Sequence, residues 1–191
     1  MKKIIALFLL TQFYCYAQDT IINAKDNLNK IFSENLEQGK VNLFVTDIKT
    51  LDTIINEKKA KYKIVYSFSN TCHFSFSAFP DLIDYVNLDK NLFQLFIVIS
   101  SRFDEIESIK KYFEKLEYYE PVYILDTSIY GNRKNPSVRN ELMISKLCKD
   151  CNSKKMGFSD LFIRDNNNNI VYHSNYNIPW ETIFLEIKSM K

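Results

Sequence analysis

Glycine is nearly missing from this chain: there are three in 191 residues, along with four prolines, two histidines and one tryptophan. So little glycine, beside twelve tyrosines and fifteen phenylalanines, excludes repeat and low-complexity architectures and leaves an ordinary packed core. Cysteine is scarce too, at four. Beyond the N-terminus no stretch approaches the roughly 20 apolar residues of a membrane-spanning helix. A strong charge of either sign is also lacking, since 25 lysines and arginines face 23 aspartates and glutamates. Nucleic acid is therefore excluded as an expected partner, because its binding rests on neutralising phosphates.

The first residues read as a targeting segment. Met1-Lys-Lys, the apolar Ile4-Ile-Ala-Leu-Phe-Leu-Leu10 and Cys15-Tyr-Ala17 follow the charged, apolar, small-residue order of a secretory signal. The expectation is cleavage near Ala17 (signal peptide 1–17), with a periplasmic or secreted mature chain that has no transmembrane segment. Lipidation at Cys15 would want a small residue before it, and Tyr14 stands there. Losing Lys2 and Lys3 leaves 23 basic residues against 23 acidic ones, a formal charge of zero. About 170 mature residues make one domain by length. Cys72, Cys148 and Cys151 remain, and an odd number in an oxidising compartment leaves at least one thiol free or paired to another molecule.

Apolar spacing lays out the elements. Ile21, Ile22, Leu28, Ile31, Phe32 and Leu36 fall near helical spacing, which predicts an N-terminal helical extension over 18–40. A strand over Val41 to Val45 follows, then a mixed stretch, Asp47 to Lys59, ending in a solvated turn. Strand Lys63–Ser69, helix His73–Val86, strand Leu92–Ser100, helix Asp104–Leu116 and strand Pro121–Leu125 then alternate. Runs such as Phe93-Gln-Leu-Phe-Ile-Val-Ile99 are apolar on both faces, as in a mainly parallel sheet covered on two sides. Asp126 to Asn135 reads as loop, and a helix over Val138 to Leu147 carries the second cysteine pair at its end. Leu161-Phe-Ile163 and Ile170-Val-Tyr172 flank Asp165-Asn-Asn-Asn-Asn169, a hairpin whose asparagines suit positive φ. A last helix follows Pro179-Trp180. The fold class is α/β, a central mixed sheet flanked by helices over 41–191.

Cys72 is the main chemical clue. It stands where strand Lys63–Ser69 ends and helix His73–Val86 begins, so its sulfur faces unsatisfied backbone N–H groups, which favours the thiolate, the nucleophilic form. A dithiol redox site would carry its second cysteine three residues on, and Ser75 is there instead. Any exchange is therefore monothiol or borrows a sulfur. Cys148-Lys-Asp-Cys151 is the other source, as a resolving pair feeding the loop beside Cys72 or as a small-loop staple of a helix end. A zinc site would need Cys72 or His173 to complete those two cysteines, and neither metal nor cofactor is expected. His73 reads as an electrostatic neighbour of the thiolate or a solvent-facing first-turn residue. Ser75 reads as a hydrogen-bond donor to the sulfur or as helix filler. Phe74, Phe76 and Phe79 read as an apolar rim for a peptide or as packing beneath a sheet.

The element order, with a strand ending in a cysteine that opens a helix and a late antiparallel hairpin, resembles the thioredoxin superfamily. Lys61-Tyr-Lys-Ile-Val-Tyr-Ser-Phe-Ser-Asn-Thr-Cys72 looks like the active-site approach of its exported TlpA-like and peroxiredoxin-like branch. Pro121-Val-Tyr-Ile-Leu-Asp126 and Met156-Gly-Phe-Ser-Asp-Leu-Phe-Ile-Arg-Asp165 resemble its later strand, loop and hairpin. The resemblance implies thiol–disulfide exchange with a protein or peptide partner, with Cys72, His73, Ser75, Cys148 and Cys151 as candidate reacting residues and Thr71, Phe74, Phe158 and Ser159 lining the partner's place. Three departures stand out. Thr71 replaces the usual tryptophan, Ser75 the second cysteine, and Ser159 the proline of the loop facing the thiol. A trans peptide is expected there, since a cis bond before a non-proline residue costs about 3 kcal/mol. A peroxidase is the other enzymatic reading, from Ser69 three residues before Cys72, with Val65 where its proline would be and Arg133, Arg139 or Arg164 as possible arginine partners. Cys72-His-Phe-Ser75 also echoes the Cys-Gly-Phe-Ser of monothiol glutaredoxins. The non-enzymatic reading is a binding module on the same fold with a structural 148–151 disulfide.

Overall fold

A computed structural model of the chain describes residues 21–28, 31, 36, 39–101, 103–131 and 135–190. The expected signal segment, with its cleavage site near Ala17, lies outside the described residues, as does most of 29–38. Seven strands form one sheet: β1 (Ile21–Asn23), β2 (Leu43–Thr46), β3 (Tyr62–Phe68), β4 (Phe93–Ile99), β5 (Val122–Leu125), β6 (Leu161–Asp165) and β7 (Ile170–His173), in the order β1-β2-β5-β4-β3-β6-β7. The first five run parallel, and β6 and β7 complete the sheet as an antiparallel hairpin against β3. This is the central mixed sheet flanked by helices that the element order predicts.

The helices are α1 (Ile48–Glu57), α2 (His73–Asn87), α3 (Ile106–Lys115), the short α4 (Thr127–Tyr130), α5 (Pro136–Leu147) and α6 (Trp180–Ser189). Side chains alternate along each strand, so each face of the sheet acquires its own core. Ile64, Tyr66, Phe68, Leu95, Ile97, Ile124, Leu161 and Ile163 meet α2, α3 and α6 on one face. Val65, Phe96, Val98, Tyr123 and Phe162 meet α1 and α5 on the other. Burial on both faces explains the largely apolar runs of β4 and β5.

Three segments differ from their sequence reading, the briefest being Asp126 to Asn135, read as loop, where the short helix α4 forms over Thr127–Tyr130. Asp47 to Lys59 holds a ten-residue helix, α1, rather than a mixed stretch. The Asp47 carboxylate caps it by accepting from the backbone N–H of Thr50 at 2.9 Å and its hydroxyl at 2.8 Å. Ile48, Leu51, Ile54 and Ile55 form its buried stripe. The predicted N-terminal helical extension opens as strand β1, with Ile21 and Ile22 paired to Leu43 and Phe44. Successive β-branched residues suit a strand, and the outer edge of β2 offers backbone partners that an isolated helix would not meet.

Pro80 lies inside α2 and lacks the N–H that would bond the carbonyl four residues back. Tyr112 of α3 supplies a donor instead, its hydroxyl reaching the Phe76 carbonyl oxygen at 3.2 Å. The helix that carries the thiol at its start is thus tied to its neighbour at the proline.

Candidate functional site around Cys72

β3 ends at Phe68, and Ser69, Asn70 and Thr71 turn the chain into α2, with Cys72 at its N-cap in an extended conformation (φ −100°, ψ 114°). Within this turn the Cys72 N–H donates to the Ser69 carbonyl at 3.2 Å, and the Ser75 N–H donates to the Cys72 carbonyl at 3.0 Å. The Cys72 side chain makes no capping bond to the helix, and its thiol is free and half-buried. The sulfur faces the loop before β6, 3.9 Å from both the Phe158 carbonyl oxygen and the Ser159 hydroxyl.

Ser75 is fully buried and turns inward. Its hydroxyl accepts from the Ser69 N–H at 3.3 Å, so it braces the turn from beneath. No described hydrogen bond joins it to the Cys72 sulfur. His73 is exposed with its ring edge against Phe74, and Thr71 is exposed with its hydroxyl 2.9 Å from that of Ser69.

The loop facing the sulfur is held by a dense polar network. Ser159 has positive φ (68°), and no cis peptide occurs among the described residues, so the expected trans loop is present. Its N–H donates to the Ser67 carbonyl at 2.7 Å, while the Ser67 N–H donates to the Asp160 carbonyl at 3.0 Å. The Asp160 carboxylate accepts from the Gly157 N–H and from the Ser174 hydroxyl, each at 2.7 Å. Asn140 of α5 joins from behind, its amide donating to the Gly157 carbonyl at 3.1 Å and its oxygen accepting from the Ser67 hydroxyl at 2.5 Å. Burial pushes the Asp160 carboxyl above the usual carboxylate range; the Ser174 and Gly157 bonds and the nearby His173 pull the other way.

A groove of about 310 Å³ opens beside this loop, lined by Phe74, Phe158, Ser159, Asp160, Tyr176 and Trp180 among others. Phe74 is 64% exposed and Tyr176 66% exposed, which is unusual for aromatic rings with a packed core close by. Tyr176, Ile178 and Trp180 were missed as site residues from sequence. Tyr176 and Ile178 arrive from the segment between β7 and α6 and Trp180 from the start of α6, and no local pattern distinguishes them from core residues.

The second cysteine pair is not brought to the first. Cys148 and Cys151 are bridged to each other at the end of α5 and are buried in the core on the opposite face of the sheet from α2. The Leu147 carbonyl next to them accepts from the Arg164 guanidinium, and Arg164 pairs with Lys63 at the start of β3. At about 3.3 Å per residue, the length of β3 puts the bridge on the order of 20 Å from the turn that carries Cys72. In this structure the two sulfurs are therefore joined to each other rather than set beside Cys72, although the chain runs on from Cys151 to Phe158 and Ser159 of the thiol loop.

The arginines considered for a peroxidase do not supply that partner either. Arg139 donates to the Ser100 carbonyl at 3.0 Å and the Gly131 carbonyl at 2.9 Å, and Arg164 pairs with Asp52 at 2.7 Å. Arg133 lies outside the described residues. Among the described residues no three His, Cys, Asp or Glu side chains converge as a metal site, and no helix is long and apolar enough to cross a membrane.

No protein-family profile and no curated protein sequence matches the chain. Solved structures do. A thioredoxin-like protein in its oxidised form is 9% identical, covering 69% of this chain and 78% of that one at a TM-score of 0.49. The thioredoxin domain of a thiol-disulfide oxidoreductase from Bacteroides vulgatus is 20% identical, covering 68% of this chain and 81% of that one at a TM-score of 0.47. An exposed lipoprotein thioredoxin from Streptococcus pneumoniae is 12% identical over 71% of this chain and 89% of that one, again at 0.47. The activities in those names belong to those proteins, and the chemistry of this chain is argued from its own residues.

Proposed function

We propose that this chain is an exported monothiol protein of the TlpA-like kind that exchanges disulfides with a protein or peptide partner through Cys72. The observation that carries the reading is a free, half-buried thiol at the N-cap of α2, facing a polar loop and bordered by a groove with exposed aromatic rings. The Cys72 thiolate attacks one sulfur of a partner disulfide. The Cys72–partner S–S bond forms, the partner's own S–S bond breaks, and its second sulfur leaves as a thiolate. With Ser75 turned inward and Cys148 bridged to Cys151, release depends on that partner thiolate or on a low-molecular-weight thiol attacking the mixed disulfide. Phe74, Phe158, Tyr176 and Trp180 offer the partner's flanking residues an apolar seat, and Ser159 faces the reacting sulfur.

The test is capture of a peptide disulfide followed by intact-mass spectrometry. Wild type and Cys148→Ser should both form the mixed disulfide with equal lifetimes, and Cys72→Ser should form none. Failure of folded wild type to capture any peptide disulfide would leave the second reading, a binding module on a thioredoxin-like fold. That reading is favoured by one observation, the closed Cys148–Cys151 bridge buried on the face away from α2.

A further inference from the structure

α2 and α6 supply more than the groove beside the thiol. Farther along the same two helices a larger groove, of about 850 Å³, is lined by Asp81, Asp84, Tyr85 and Leu88 of α2 with its flank and by Glu181, Phe184, Leu185 and Lys188 of α6. Leu88 is 74% exposed and Leu185 66% exposed. Large apolar side chains facing each other across a cleft mark an interaction surface when polar residues rim them. The rim is one-sided in charge. Asp81, Asp84 and Glu181 stand against Lys188 alone, and α2 contains no lysine or arginine in its 15 residues.

The shape selects the partner's form. Asp81, Tyr85 and Leu88, like Glu181, Leu185 and Lys188, recur at four- and three-residue steps, so each wall is a helical ridge. Tyr85 and Phe184 hold the ridges together with ring centroids 6.5 Å apart. The furrow between two such ridges takes a third helix through its i, i+3, i+4 and i+7 side chains. Charge selects the rest. A second copy of this chain docked face to face would set these carboxylates against their own equivalents.

We propose that the α2–α6 groove is a docking site for a cationic amphipathic helix of a partner protein, whose leucine-like side chains cover Leu88 and Leu185 and whose lysines or arginines meet Asp81, Asp84 and Glu181. The site does not depend on thiol chemistry. A partner seated there would lie along the helix that starts at Cys72 and the helix that presents Trp180 to the thiol-side groove.

The experiment titrates the full protein with three fluorescent 18-residue peptides: an amphipathic Leu/Lys helix, its Leu/Glu counterpart, and a scrambled Leu/Lys sequence without an apolar face. The amphipathic Leu/Lys peptide should bind at least tenfold tighter than either control. Its affinity should fall at least tenfold in Leu88→Ala/Leu185→Ala and in Asp81→Asn/Asp84→Asn, and should weaken as salt rises. Cys72→Ser should bind as wild type does, so the outcome is separable from that of the exchange reading. Equal binding of the three peptides, or unchanged binding in both groove variants, overturns the proposal. So does concentration-dependent dimerisation that Leu185→Ala abolishes, since the occupant would then be a second copy.

Discussion

The hydroxyl of Ser159 stands 3.9 Å from the sulfur of Cys72, and it is held there by a backbone in the left-handed region, φ 68°. Proline fixes φ near −65° and has no N–H, whereas this residue's N–H donates to the Ser67 carbonyl at 2.7 Å. Ser159→Pro should therefore destabilise the protein by about 3 kcal/mol or more. Ser159→Gly, which relieves the positive φ, should be neutral or stabilising by up to about 1 kcal/mol. Urea unfolding of both variants checks the order. A stable Ser159→Pro protein would show that the loop is not held in this conformation.

The bond from Tyr112 to the Phe76 carbonyl replaces the helix bond that Pro80 cannot make. Tyr112→Phe keeps the stacking on Phe68 and the edge-on contact with Phe76 and removes only the donor. It should cost about 1 kcal/mol in wild type. In a Pro80→Ala background, where the helix regains its own donor, the same change should cost less. A double-mutant cycle measures the coupling, and a coupling of zero would separate Tyr112 from the proline. Burial pushes the Tyr112 phenol up to about 12, so the donor is intact throughout the neutral range.

Asp160 gives a pH dependence with a definite sign. Burial raises its folded-state pKa, so the neutral carboxyl is the better-tolerated form in the fold. The stability tied to that form is fully present below the unfolded-state pKa and is lost as pH rises through the raised folded value. Asp160→Asn stays neutral at every pH. Relative to wild type it should therefore gain stability from acid to neutral pH, with the difference levelling off once Asp160 is fully ionised. Denaturant unfolding at intervals from pH 4 to pH 8 reads this directly, and a difference independent of pH would show that burial does not govern this carboxyl.

Removing the Cys148–Cys151 bridge tests whether it acts only as a staple. Closing so short a loop contributes about 2 kcal/mol on the chain-entropy account. Cys148→Ala/Cys151→Ala should lose about that much stability, seen as a lowered urea midpoint, while the alkylation rate of Cys72 stays within twofold of wild type. A large change in that rate would connect the two cysteine sites across the sheet.

Much of the fold was legible because its signals are local. The largely apolar runs of β3, β4 and β5 announced a sheet buried on both faces, and Asn168 occupies the positive φ expected in the asparagine turn. Helix α1 was missed, its signal in Asp47 followed by Ile48, Leu51, Ile54 and Ile55 being obscured by the lysines after it. Ser159 was identified from its position before the hairpin. Asp160 beside it carried no sequence signal, since its role depends on Gly157 and Ser174 reaching it from either side.

By itself the sequence determined the periodicities, and with them the α/β layering, the thiol at the start of α2 and the lack of a second cysteine at Ser75. These follow from neighbours in the chain, whose spacing sets which face a side chain occupies. Only the tertiary structure decided which distant groups meet. It turned Ser75 inward to Ser69, set Ser159 against Cys72, closed Cys148 on Cys151 behind the sheet, and aligned α2 with α6 so that exposed leucines face one another under an acidic rim. Those pairings depend on strand order and helix placement, which are properties of the packed core as a whole and of no single segment.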